Sequence, residues 1–192
     1  DGSGSMGLWL RDQVTGVGTL TYVDPESGAF GALGHGVNDV DCGLRMPLRS
    51  GLVTKTGISA VLKGSAGAPG QLCGGLDTAQ IVGSIEKNTA KGIFGTLEDS
   101  GWIPGQAVET ASTEEICLGA AQILSDVDGA GPKAYTVEIV RLYGCQENGR
   151  DLMLRVTDET LLEKTGGIVQ GMSGSPILQN GKLIGAVTHV LV

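Results

Sequence analysis

The sequence predicts an all-β protein with short helical insertions. β-prone runs recur between Gly, Asn and Pro breaks along the 192 residues. The 33 glycines are scattered rather than periodic, as many tight turns between short strands require. Only two stretches, 113–125 (in whole or in part) and 158–165, read as helical, too few for a layered α/β fold.

The elements follow in order. Gly18-Thr19-Leu20-Thr21-Tyr22-Val23 alternates polar and apolar, Asp24-Pro25-Glu26-Ser27-Gly28 turns the chain, and Ala29-Phe30-Gly31-Ala32-Leu33 runs back. This is a hairpin whose second strand delivers His35. Further strands are expected over 51–63, 79–86, 90–97, 105–110, 133–143, 150–157 and 181–191, with Glu86-Lys87-Asn88 as a turn between two of them. The Gly- and Pro-rich stretch 63–76 and the segment 126–132 read as surface loops, and either can divide two sub-barrels. No repeat of fixed period is present.

Composition narrows the function. A chain of this length buries roughly 70% of its unfolded surface and needs no metal or disulfide staple. Hydrophobic residues at 41% against charged residues at 18% indicate a folded globular domain. A net charge of −8, with Arg45, Arg49 and Lys55 thinly spread, works against nucleic-acid binding. No apolar run approaches the ~20 residues of a membrane span. Residues 1–6 read as a linker or cloning scar, and 7–192 as one domain of two sub-barrels. Cys42, Cys73, Cys117 and Cys145 are far apart and lack the spacing of a zinc or redox site, so they read as reduced, small apolar residues, with up to two disulfides in an oxidising compartment as the alternative. The two distant histidines offer no metal-ligand pattern either, and no cofactor is expected.

The chemistry lies near the C-terminal end. Gly171-Met172-Ser173-Gly174-Ser175-Pro176 spells G-x-S-G-x-P, the stretch in which chymotrypsin-like peptidases carry the nucleophilic serine. The glycines let the backbone turn sharply and present the hydroxyl, with the N–H groups of Gly171 and Ser173 converging on a developing oxyanion. Pro176-Ile177-Leu178 then leaves the turn as a strand. Serine needs a neighbouring base, and His35, between Gly34 and Gly36 at a strand end, is free to supply it. Histidine before serine is also the chain order of that peptidase class. The plainer readings are a Gly/Ser turn and a satisfied polar histidine. A carboxylate must orient the imidazole; Asp39, Asp41, Asp77, Asp99 and Asp158 are all available, and spacing does not choose among them. Asp158 also fits as the N-cap of the helix that follows. Downstream, Gly181 to His189 resembles the strand that pairs with substrate in chymotrypsin-like enzymes, which sets Thr188 and His189 near the pocket; an ordinary core strand ending in His189 is the alternative.

Three longer stretches carry a more specific resemblance: Trp9-Leu10-Arg11-Asp12 followed by Gly16 to Thr21, Phe30 to Val37 with Asp39 and Asp41 following, and Leu161 to Pro176 running on to Ala186-Val187-Thr188-His189-Val190. From about residue 7 the chain resembles the SpoIVB peptidase family. The resemblance implies a chymotrypsin-like double β-barrel from an endospore-forming bacterium. It implies a signalling peptidase that acts between forespore and mother-cell membranes, cleaves a membrane-associated regulator of an intramembrane protease, and cleaves itself. His35 matches the family's catalytic histidine, Ser173 its serine and Asp158 its aspartate. The family's N-terminal membrane anchor and PDZ domain have no counterpart in these residues, and members continue past the position of Val192. Two other classes compete. A catalytically silent peptide-binding barrel would keep the fold without turnover, and an esterase would normally place G-x-S-x-G at a strand-to-helix turn, unlike the β-run seen here.

Overall fold

A computed structural model describes residues 14–39, 42–75, 80–99, 107–144 and 150–191. The segment 1–6, Asp41, Asp77 and Cys145 lie outside the described residues. Among the described residues there are twelve strands, one short α-helix and one 3-10 turn. The first sheet holds β1 (Tyr22–Val23), β2 (Ala29–Leu33), β3 (Gly51–Thr54), β6 (Ile81–Thr89) and β7 (Gly92–Leu97), in the order β1-β2-β7-β6-β3. The second holds β8 (Gly119–Ser125), β9 (Lys133–Leu142), β10 (Leu152–Val156), β11 (Pro176–Gln179) and β12 (Lys182–Ala186), in the order β10-β9-β8-β11-β12. A separate hairpin pairs β4 (Ile58–Leu62) with β5 (Gln71–Gly74). All pairings between these strands are antiparallel. The fold is all-β and consistent with the chymotrypsin-like class, with open sheets in place of closed barrels among the described residues.

The core is lopsided. β8 buries Ala121, Ile123 and Ser125, β9 buries Tyr135, Val137 and Ile139, and alternate residues of both face out, as a two-residue period dictates. Leu161 from helix α1 (Glu159–Thr165), Ile177 from β11, Leu72 from β5, Val127, Val169, Met172 and Val187 complete this cluster. The first sheet contributes only Phe30 and Leu97 to the buried apolar set among the described residues. The second sheet therefore supplies most of the apolar burial that drives folding.

Several sequence expectations change here. The stretch 113–125 is a 3-10 turn (Thr113–Glu115) followed by β8, not a helix. Its helix-forming composition is overridden by Gly119 at φ 113° and by ladder bonds to β9 on one side and β11 on the other. Glu86-Lys87-Asn88 is not a turn. β6 runs through it with a bulge at Ile85/Lys87, and the chain reverses at Ala90-Lys91. The expected strand 51–63 is split into β3 and β4, and the expected loop 63–76 contains β5. Within 105–110, the described residues hold one parallel bridge, Thr110 to Leu183. The last strand ends at Ala186, so 187–191 leave the sheet. The loop at 126–132 and helix α1 lie where the pattern put them, and the first hairpin forms with its first strand shortened from 18–23 to Tyr22–Val23.

Candidate active site

The turn that carries Ser173 is fixed from below. Met172 is fully buried in the core, while its neighbour Ser173 is partly exposed and lines a cleft shared with His35. Gly171 and Gly174 flank it at φ 97° and 94°. At Gly174 glycine is required twice over: the φ is left-handed, and a Cβ would lie 2.2 Å from the Thr19 carbonyl oxygen. The Gly174 N–H donates to Val187 O at 2.8 Å and Ser175 N–H to Met172 O at 3.0 Å.

Bonds to neighbouring carbonyls also set where the Gly171 and Ser173 N–H groups point. A trans peptide aims its N–H opposite its C=O. Leu72 N–H donates to the Gln170 carbonyl at 2.8 Å, which turns the Gly171 N–H away from β5. The Met172 carbonyl, held by Ser175, turns the Ser173 N–H the other way. Neither N–H donates to a protein acceptor among the described residues.

His35 follows β2 and lies next to this turn. A Cβ on its neighbour Gly34 would sit 3.7 Å from the Ser173 Cβ. On its other side Gly36 packs against β6, where a Cβ would meet Thr89 O at 2.3 Å. Asn88 then anchors the following segment, accepting from Val37 N–H at 2.9 Å and donating to Val37 O and Met46 O. His35 Nδ1 is 3.2 Å from Gly36 O. A carbonyl only accepts, so this contact needs the proton on Nδ1 and leaves a lone pair on Nε2.

His35, Ser173, Thr188 and His189 line one cleft of about 250 Å³, walled by Ile168, Val169, Gln170, Val187 and Val190. Ser173 Oγ donates to Thr188 O at 3.3 Å, and His189 Nδ1 is 2.8 Å from Thr188 Oγ1. Burial, then the positive charges of Arg150 and His35, lower the pKa of His189 below the ordinary histidine value. No carboxylate is among the cleft's lining residues.

The structure does not bring Asp158 to that cleft. Its Oδ1 accepts from Leu161 N–H at 3.0 Å, capping α1, and its Oδ2 accepts from Thr136 N–H at 3.3 Å. Thr136 borders a larger groove of about 540 Å³ on the outer face of the second sheet, which contains neither His nor Ser and shares no lining residue with the His35–Ser173 cleft. Asp39 and Asp99 do not line the His35–Ser173 cleft either; Asp39 Oδ1 accepts from Cys42 N–H in a local turn. Cys42, Cys73 and Cys117 are free thiols.

Sequence reasoning missed the apolar wall at 168–169, 187 and 190, and it missed Thr21. The alternation in 18–23 suggested apolar residues facing in, yet Thr21 is 7% exposed while Tyr22 is 42% exposed. No pattern signals that inversion, because the burial of Thr21 depends on partners far away in the chain.

An all-β chymotrypsin-like fold holding a serine and a histidine in one cleft belongs to a serine peptidase, an endopeptidase by class. More particularly, the chain belongs to the SpoIVB peptidase S55 family, whose model matches residues 2–192. Neither a curated protein nor a solved structure gave a match.

Proposed function

We propose that Ser173 is the nucleophile, that His35 is its general base, and that the N–H groups of Gly171 and Ser173 form the oxyanion hole. The observation that carries this reading is the shared cleft of His35 and Ser173. His35 Nε2 takes the hydroxyl proton as Ser173 Oγ bonds to the scissile carbonyl carbon. The tetrahedral oxyanion is met by the two open N–H groups, and the imidazolium returns the proton to the leaving amine as the C–N bond breaks. Water, activated by the same histidine, then hydrolyses the acyl-enzyme. Thr188 and His189 form the wall that receives the substrate backbone.

Asp158 is proposed as the third member on the family resemblance. A carboxylate offers about four acceptor sites, of which Leu161 and Thr136 use two, so capacity for an imidazole N–H remains. The substrate is a protein, and we infer a membrane-associated regulator of an intramembrane protease, cleaved between the forespore and mother-cell membranes during sporulation. Self-cleavage belongs to the same proposal.

Labelling with a fluorophosphonate probe tests the core of this reading. The adduct is expected on Ser173 and is lost in Ser173→Ala and His35→Ala. A folded protein that takes no label would reverse it and favour a silent peptide-binding barrel.

A further inference from the structure

The two halves of the site come from segments almost 140 residues apart, and one buried hydroxyl joins them. Thr21 Oγ1 donates to Gly174 O at 2.7 Å and accepts from Leu33 N–H at 2.9 Å. Leu33 ends the strand that delivers His35, and Gly174 follows the nucleophile directly. Thr21 is itself held in place by donating its N–H to Gly31 O at 2.8 Å. Two residues earlier, Thr19 reaches the same turn twice: its N–H donates to Ser173 O at 3.3 Å and its Oγ1 to Gly171 O at 3.0 Å.

We propose that Thr19 and Thr21 are positioning residues, a two-hydroxyl strut that sets the distance between His35 and Ser173. This rests on the reading of those two residues as the catalytic pair. Each bond falls on backbone, so the strut controls where the Ser173 turn sits against the end of β2 rather than touching the reacting atoms. The carbonyls of Gly171, Ser173 and Gly174 are all held by it. A buried threonine kept only for its methyl would not need both hydroxyl partners, and valine would fill the same volume. The strut matters because the first sheet has little apolar core to fix its strand ends by packing. Losing the bond to Gly174 frees the turn to drift, and misplacement by ~1 Å costs about 10²-fold in rate.

The test uses a fluorophosphonate probe on the whole chain, separating the maximal labelling rate from the half-saturating probe concentration, with melting temperature measured alongside. Thr21→Val is expected to lower the maximal rate by about 10- to 100-fold, leaving half-saturation within about threefold, and Thr21→Ser to restore it. If Thr21→Val does not fold, Thr19→Val, which loses only the hydroxyl bond to Gly171, is expected to show a smaller drop of the same kind. A folded Thr21→Val that labels at the wild-type maximal rate, or a Thr21→Ser as impaired as Thr21→Val, overturns the strut. With valine at 21 unfolded, an unchanged rate in Thr19→Val does the same. Failure of the wild-type protein itself to label would instead remove the catalytic reading and the strut with it.

Discussion

Ser173 Oγ donates to the Thr188 carbonyl oxygen at 3.3 Å, not to His35. The proposed nucleophile thus rests against the wall that substrate is proposed to use, and His35 is engaged through Nδ1 with Gly36 O. Long or misdirected catalytic hydrogen bonds are common without substrate and tighten when one is bound. A peptide pairing with 187–190 would compete for Thr188 O and release the hydroxyl toward Nε2.

Loss of either partner should therefore be close to complete. Ser173→Ala and His35→Ala are each expected to cut turnover by on the order of 10⁶, and the double variant by no more than either alone. Additive losses in a peptide-cleavage assay would mean the two do not act as a unit.

Asp158→Asn separates two roles of one carboxylate. Asparagine's one oxygen can keep the cap bond from Leu161 N–H but turns its NH2 toward Thr136 N–H, so only a modest fall in melting temperature is expected. An amide cannot stabilise an imidazolium, so turnover should fall by about 10³–10⁴. Full activity in the asparagine variant would reduce Asp158 to a helix cap and leave Gly36 O as the group that orients His35.

His189 gives the cleft a pH dependence in stability. Its folded-state pKa is lowered, first by desolvation and then by Arg150 and His35. Between that value and the ordinary ~6.5 the unfolded chain binds more protons, so stability falls as pH drops below about 6.5. The melting temperature of wild type should fall more between pH 7.5 and 5.5 than that of His189→Gln. Parallel curves would contradict the assignment.

Lys182, at the start of β12, ties that strand to the 3-10 turn through Glu115 at 2.6 Å. Its hydrogen bond, followed by that from Ser112 N–H, lowers Glu115 to about 2. The stabilisation is present above the unfolded value near 4.5 and is lost as pH falls toward about 2. Lys182→Met should flatten the acid-unfolding curve in that window, read by circular dichroism. Both groups are accessible to solvent, so added salt should weaken the effect.

Met172 anchors the nucleophile turn from the core. Met172→Ala is expected to cost about 2–5 kcal/mol in urea unfolding, as large-to-small core changes do. Loss well below that range would mean the site collapses around the gap.

The sequence alone determined the β character, the first hairpin's turn and return strand, helix α1 with Asp158 as its cap, and the glycine-flanked settings of Ser173 and His35. Each is written in a local code of alternation, turn residues, a cap or a glycine-flanked motif. What depends on partners distant in sequence was decided by tertiary structure. β8 lies in a segment of helix-forming composition and became a strand because β9 and β11 pair with it. Thr21 is buried because Leu33 and Gly174 satisfy its hydroxyl. Asp158, proposed as the third member, makes its bonds to Leu161 and Thr136 instead of His35, since backbone N–H groups lie within its reach. Local sequence can name a hydroxyl, an imidazole or a carboxylate; the long-range pairing of strands decides which of them meet.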